Sequence, residues 1–391
     1  MGIFLLFTLI LKFSKLLFHS SSVYFLVFAN ICAIDVAIFF SVKIAEEIYS
    51  KRSAYCTGLL MALFSPFALY VPIVYSDTFV MPFLTGTIYF VYRWTKGGWG
   101  DSKSYVFLWK GLLIGFFLYM GICIKGSLTV LVIAVLIYLA LTFSFKTFFK
   151  TALSFLLGLV IASGIWSASL GVIDLTSQDE LDSYRFPPTH WIMMGMHGAG
   201  NYCAEDVQYT QSFNTYDEKK EATIQKISEM AKEMGFIGIV KQAIKKASQY
   251  GWNYGTCYAE RYLGDYGDQP RIRNALHEII LTKGIYHKWF WIGTQSFWLL
   301  NLGAGFSSIL VSAIQPSKKG SLIWISLVGF MCFFAIWETH PRYILHFSTL
   351  VFILSGNIFC QAGDLLSRAC PFHRLHSNQL PSRDNLHSRS L

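Results

Sequence analysis

Apolar runs recur along this 391-residue chain near positions 22–42, 54–74, 78–93, 106–124, 128–145, 151–172, 289–314, 321–337 and 342–360. A helix of roughly 20 apolar residues crosses the ~30 Å hydrocarbon layer, so the pattern predicts about nine membrane helices in an all-α polytopic protein. Residues 1–19 differ, because Lys12 and Lys15 interrupt the apolar pattern. That segment reads as a helix lying in the outer interface, with its lysine stems snorkelling to water.

Between the sixth and seventh runs the periodicity becomes that of a soluble helical insert. Thr215 followed three residues later by Glu218 is a capping-box pattern, and Ile224, Ile227, Met230 and Ala231 recur at helical spacing behind it. A second helix is expected over 236–250, with Ile237, Ile239, Val240 and Ile244 facing inward and Lys241, Lys245 and Lys246 outward. Beyond about 361 the chain turns to Ser, Arg, His, Asn and Pro, a composition too polar to fold alone. The expected organisation is a membrane region over 1–172 (the interfacial helix and about six spans), a helical extracytoplasmic loop domain over 173–288, a second membrane region over 289–360 (about three spans) and a disordered cytoplasmic tail over 361–391.

Composition supports this reading: 54% of residues are hydrophobic and 14% charged, too apolar for a water-soluble domain. The net charge of +9 would suit a nucleic-acid binder, but the basic residues are scattered through short connections. Lys43, Lys51 and Arg52 share one loop, Arg93, Lys96 and Lys103 another, Lys146 and Lys150 a third, Lys318 and Lys319 a fourth. All four are consistent as cytoplasmic loops, which is the positive-inside pattern and leaves no nucleic-acid partner. The remaining connections then lie outside: the Tyr75-Ser76-Asp77 turn, the Lys125-Gly126-Ser127 turn, residues 173–288 and the turn from Glu338 to Arg342. Phosphate-binding Gly-rich loops, His-Glu-x-x-His and nucleophile elbows are absent from the sequence, which argues against ATP-driven transport and zinc-protease chemistry.

The conspicuous residues collect on the outer side. Asp77 opens a helical run, where it either caps the helix or binds a cation or substrate. Arg342 has the planar fork that clamps phosphate; Glu338 either orients it, holds a metal or forms an ion pair with it. Lys125 departs from the positive-inside bias, and holding an anionic head group would account for that, as would snorkelling. His190, His197 and Asp206 are further polar candidates, and Cys203 and Cys257, the two cysteines of the large loop, are a candidate disulfide. Asn30 and Asp35, inside a span, are expected to face neighbouring helices.

Taken in order, several stretches resemble the membrane glycosyltransferases of GT-C fold, especially bacterial relatives of the protein O-mannosyltransferases and the aminoarabinose transferase. They are Leu60 to Pro66 with Tyr75-Ser76-Asp77, His190 through Gly195 and Tyr202 to Asp206, Lys246 to Thr256 with Trp252 and Gly255, and Glu338 to Tyr343. The resemblance implies a GT-C-like helical bundle in the bacterial cytoplasmic membrane. It further implies transfer of a sugar from a polyprenyl-phosphate carrier to an extracytoplasmic acceptor, with membrane lipids as partners. Asp77, Lys125, Glu338, Arg342 and His190 would bind substrate, and Asp77 would be the position for a divalent metal ion. The family's first span and outer loop, which carry the catalytic base, would precede Met1, so the expectation includes an incomplete, inactive enzyme. A transporter or lipid flippase and a non-catalytic membrane scaffold are the alternatives. The first reading requires Asp77, Lys125 and Arg342 to converge.

Overall fold

A computed structural model of the chain describes residues 2–19, 22–97, 104–172, 184–252, 254–264, 274–314 and 320–369. The described elements are helices joined by turns. They are α1 (Gly2–Phe18), α2 (Tyr24–Ile48), α3 (Lys51–Leu63), α4 (Ser65–Leu69), α5 (Ser76–Phe79), α6 (Met81–Lys96), α7 (Ser104–Ile124), α8 (Thr129–Thr142) and α9 (Phe145–Val172). The insert contributes α10 (Pro188–Met196), α11 (Ala204–Gln211), α12 (Tyr216–Lys246), α13 (Ala259–Gly264) and α14 (Ala275–Ile280). The chain returns to the bundle through α15 (His287–Ile314), α16 (Ser321–Ile336) and α17 (Ile344–Ala369).

Every apolar run becomes helix, but the runs are not equivalent. Four helices among the described residues are long and apolar enough to cross a membrane: Tyr24–Ile48, Tyr105–Ile124, Phe145–Ser169 and Pro341–Ser367. Helices α6, α8 and α16 have 16, 14 and 16 residues. At 1.5 Å per residue they reach about 21–24 Å, short of the full hydrocarbon layer. The run near 54–74 is broken: α3 stops at Leu63, and Pro66 in the first turn of α4 starts a new helix. A proline there loses no intrahelical hydrogen bond, whereas within a continuous helix it would.

The last of the four long segments is 78% buried, against 28–33% for the other three. Helix α17 is therefore the central post, packed against α3, α15, α2 and α6, with Leu350 to Leu354 in the core. At the periphery α7 and α9 lie in close contact. A Cβ on Gly115 would stand 2.0 Å from the Phe155 carbonyl oxygen, and one on Gly158 would stand 2.0 Å from that of Leu112. Small residues at such a crossing let two backbones touch, which is how helices associate where lipid supplies no hydrophobic force.

The predicted cap of the long insert helix is present: Thr215 Oγ1 accepts from the Glu218 amide, and Glu218 Oε2 accepts from the Thr215 amide. The predicted second helix is the continuation of α12 beyond a break at Gly235, whose φ of +61° only glycine adopts easily. Its facing departs from the expectation in part: Lys241 and Lys245 point outward as expected, but the apolar stripe does too. Ile237, Val240 and Ile244 are exposed, while Lys246 is buried and its ammonium donates to the Trp337 carbonyl at 3.0 Å. The tail boundary also shifts, because α17 continues to Ala369 where a disordered tail from 361 was expected. Lys103, Lys318, Lys319 and residues 370–391 lie outside the described residues.

Candidate functional site

Asn30, buried on α2, organises the turn that carries Asp77. Its side-chain amide donates to the Tyr70 and Val71 carbonyls at 2.8 and 3.0 Å, and its oxygen accepts from the Thr78 hydroxyl. The chain after α4 is thereby tied to α2, and α5 is set beneath it. Asp77 lies in the first turn of α5, whose N-cap is Tyr75, so the expected capping role is not the one it plays. Its fully buried carboxylate instead accepts from Lys125. Asn30 thus faces neighbouring helical segments as expected, whereas Asp35 is exposed instead of facing a neighbour.

Lys125 leaves the end of α7 in extended conformation, which turns its stem toward Asp77 and lays its ammonium 4.4 Å from the Tyr343 ring centre. Arg342 arrives from the short 3-10 turn Pro341–Tyr343, where His340 Nδ1 accepts the Arg342 amide at 3.3 Å. Its Nε is 3.7 Å from the second Asp77 oxygen, its guanidinium donates to Tyr262 Oη at 2.6 Å, and its plane lies 4.6 Å from the Tyr75 ring centre. The three residues therefore meet, as the sequence reading required of a common site. His346, one helical turn beyond Arg342, completes the contacts with Nδ1 3.9 Å from Asp77.

The electrostatics follow from two cations on one carboxylate. Burial acts to raise the Asp77 pKa, but Lys125 and then Arg342 outweigh it and hold the carboxyl below its ordinary value. The Asp77 side chain is 0% exposed, while those of Lys125 and Arg342 keep 13% and 21%. The anion is hidden, both basic side chains are partly exposed, and Glu338 lies near enough for Arg342 and Lys125 to act on its charge. Burial raises the pKa of Glu338, against the opposing pull of the Tyr343 hydroxyl, which donates to it at 3.2 Å. The expected Glu338–Arg342 ion pair is absent from the described contacts because Arg342 turns to Asp77. Burial also takes His340 down to about 4, with Arg342 adding to the effect, so it acts as a neutral acceptor.

The same electrostatics bear on the metal expected at Asp77. Its neighbours include two fixed cations, which repel a third, so this donor set does not fit a divalent ion.

His190 belongs to the insert. It is buried, stacks on Phe186 at 4.4 Å, meets Thr210 Oγ1 at 2.7 Å, and burial lowers its pKa to about 4. Its described contacts are structural ones and do not include the Asp77 cluster. The candidate disulfide is corrected: Cys203 and Cys257 are both free. Cys257 is buried beneath Tyr70, whose hydroxyl donates to its carbonyl at 2.6 Å, while the Cys203 thiol turns to His197. The insert is tied to the cluster by backbone: the Glu338 amide donates to Trp191 O at 2.9 Å and the Thr339 amide to Gly200 O at 2.8 Å.

Tyr75 and Tyr343 lie in stretches that the sequence reading quoted, the Tyr75-Ser76-Asp77 turn and Glu338 to Tyr343, but were given no role there; Tyr262 and His346 were not singled out. His346 carried a usable signal too, four residues after Arg342 and so on the same helical face.

The helical fold has a counterpart among solved structures. An archaeal oligosaccharyltransferase from Archaeoglobus fulgidus, in complex with an inhibitory peptide and a dolichol-phosphate, is similar with a TM-score of 0.51 at 12% identity, over 98% of this chain. The oligosaccharyltransferase of the same organism in its apo form gives a TM-score of 0.49 at 11% identity. The chain spans 44% of the length of each. At that identity the likeness shows the fold, a GT-C-like helical bundle. No curated protein matches the sequence. The profile of one family covers residues 3–362, and by that match the chain belongs to the conserved hypothetical integral membrane proteins.

Proposed function

We propose that this protein is a membrane glycosyltransferase that takes a sugar from a polyprenyl-phosphate-linked donor and passes it to an extracytoplasmic acceptor, in the bacterial cytoplasmic membrane. The observation that carries the reading is the Lys125–Asp77–Arg342 cluster. One buried carboxylate orients two cations that remain partly exposed. When a sugar leaves its phosphate carrier, negative charge grows on the phosphate oxygens, and preorganised cations stabilise it at no cost of reorganisation. Arg342 presents a fork fixed by Tyr262 and Tyr75, suited to two phosphate oxygens at once. Asp77 positions these groups. Held ionised between two cations, it is a weak proton acceptor, so a base for the acceptor hydroxyl must come from another group.

A bilayer-borne donor requires a site at the end of membrane helices, and the cluster stands where α7 ends and α17 begins. A transporter would place such charges nearer mid-depth, between broken helices. The test is binding of radiolabelled polyprenyl phosphate to the purified full chain in detergent, beside sugar transfer in membranes. Lys125→Ala and Arg342→Ala are each expected to weaken binding about 10- to 100-fold, the loss of one charge-assisted hydrogen bond, with Arg342→Lys in between. Equal binding by wild type and all three variants would overturn the proposal.

A further inference from the structure

A second cluster lies in the insert. His197 ends α10, Cys203 is the N-cap residue of α11, and Asp206 stands in the first turn of that helix. The chain between them turns back through Gly198 and Gly200, with φ of +52° and +73°, a region that favours glycine. This turn brings three different donor atoms to one point. His197 Nδ1 is 3.1 Å from each Asp206 carboxylate oxygen and 3.7 Å from Cys203 Sγ, and all three donors lie within 4.8 Å of one another.

We propose that His197, Cys203 and Asp206 bind a zinc ion, with one coordination position left for water. In a tetrahedral zinc site, with bonds of about 2.0–2.1 Å to nitrogen, 2.3 Å to sulfur and 2.0–2.2 Å to oxygen, the donor separations are about 3.3–3.4 Å for N···O and 3.6 Å for N···S. Two of the three edges, at 3.1 and 3.7 Å, already approach those values, and the third, sulfur to oxygen, lies within 4.8 Å and closes to about 3.6 Å on binding. A histidine, a thiolate and a carboxylate are a donor set that suits zinc better than magnesium or calcium, which take oxygen. Coordination requires the Cys203 thiol to release its proton to solvent and the His197 ring to keep its proton on Nε2. Cys203 has no disulfide partner that would remove it from this role.

The ion would act as a staple. The turn it closes carries Gly200, whose carbonyl holds the Thr339 amide, and Gly198, whose carbonyl accepts from Lys245 at 2.9 Å. Zinc at this point would fix the insert against the turn that leads into Arg342. The inference stands apart from the proposed transferase activity, because it concerns residues outside the Asp77 cluster and its readout is the metal itself.

The experiment uses the purified full chain in detergent, stripped with a chelator and titrated with cobalt(II), which zinc then displaces. One equivalent of cobalt is expected, with the near-ultraviolet thiolate band and the visible bands of four-coordinate cobalt. Cys203→Ser is expected to lose the thiolate band, and His197→Gln and Asp206→Asn to weaken binding by more than about 100-fold, beyond the cost of losing an outer partner. Zinc should raise the thermal midpoint of wild type and not that of the variants. Should a variant fail to fold, the wild-type spectrum decides. Absence of a thiolate band at one equivalent, or its survival in Cys203→Ser, would overturn the proposal.

Discussion

Asp77 is fully buried, and its charge is tolerated only because Lys125 and Arg342 meet it. Removing one partner of a buried pair leaves the other uncompensated, which costs about 3–5 kcal/mol. In Lys125→Ala the Arg342 guanidinium still faces Asp77, so that variant is expected to lose less, about 1–3 kcal/mol, and replacing both partners with the neutral Asp77→Asn and Lys125→Met to cost less than the single change. Thermal unfolding in detergent would check it, and a double variant no more stable than Lys125→Ala would show the pair to be uncoupled. The residues of this cluster were legible in the sequence to the extent that charge at the end of an apolar run is costly and so conspicuous. Their partners were not. Sequence proximity offered Glu338 to Arg342, whereas the fold offers Asp77, and no local pattern reports a contact across so much chain. Of the tyrosines that frame Arg342, Tyr262 was hidden among 21 in the chain, while Tyr75 and Tyr343 stood in quoted stretches without a role.

Helices were easier to read than the directions they face. The apolar stripe of α12 after Gly235 has the expected period, but periodicity identifies a stripe without saying what it meets. In water that stripe must turn inward; beside α16, which α12 contacts, it turns out and Lys246 turns in to the Trp337 carbonyl. The Pro66 break in the second run was visible as a residue type, yet its consequence, a descent to α5 and Asp77, depends on the Asn30 hydrogen bonds from a different helix. The α7–α9 contact rests on small residues, Gly111 and Gly115 against Ser154 and Gly158. Gly115→Val is expected to force the two backbones apart and to destabilise the protein by several kcal/mol, since its Cβ would meet a carbonyl oxygen and not a movable side chain. The same substitution at Gly303, where nothing lies within 4 Å of an added Cβ, should cost far less by the same unfolding measurement.

At the scale of the whole molecule, charge separates to two ends of the bundle, and three helices show that the ends are opposite. Helix α6 starts beside Asp77 and finishes at Arg93 and Lys96, which pair with Glu47 at 2.9 and 2.6 Å. Helix α7 brings the chain back to Lys125, at the Asp77 end. Helix α17 begins just after Arg342 and reaches Asp364, which pairs with Arg52 at 2.8 Å. One end thus carries Glu47, Arg52, Arg93, Lys96 and Asp364, and the other carries the Asp77 cluster with the insert docked on it. The ion pairs at the first end are exposed and contribute little to stability, and their basic residues are those that the positive-inside pattern predicts for a cytoplasmic face. Sidedness follows as an expected outcome. With the eight native cysteines changed to serine, Asn214→Cys on the insert should react with a membrane-impermeant maleimide in intact cells. Lys51→Cys, at the opposite end, should react only after permeabilisation. The reverse pattern would place the Lys125–Asp77–Arg342 cluster in the cytoplasm, and an extracytoplasmic acceptor would be excluded with it.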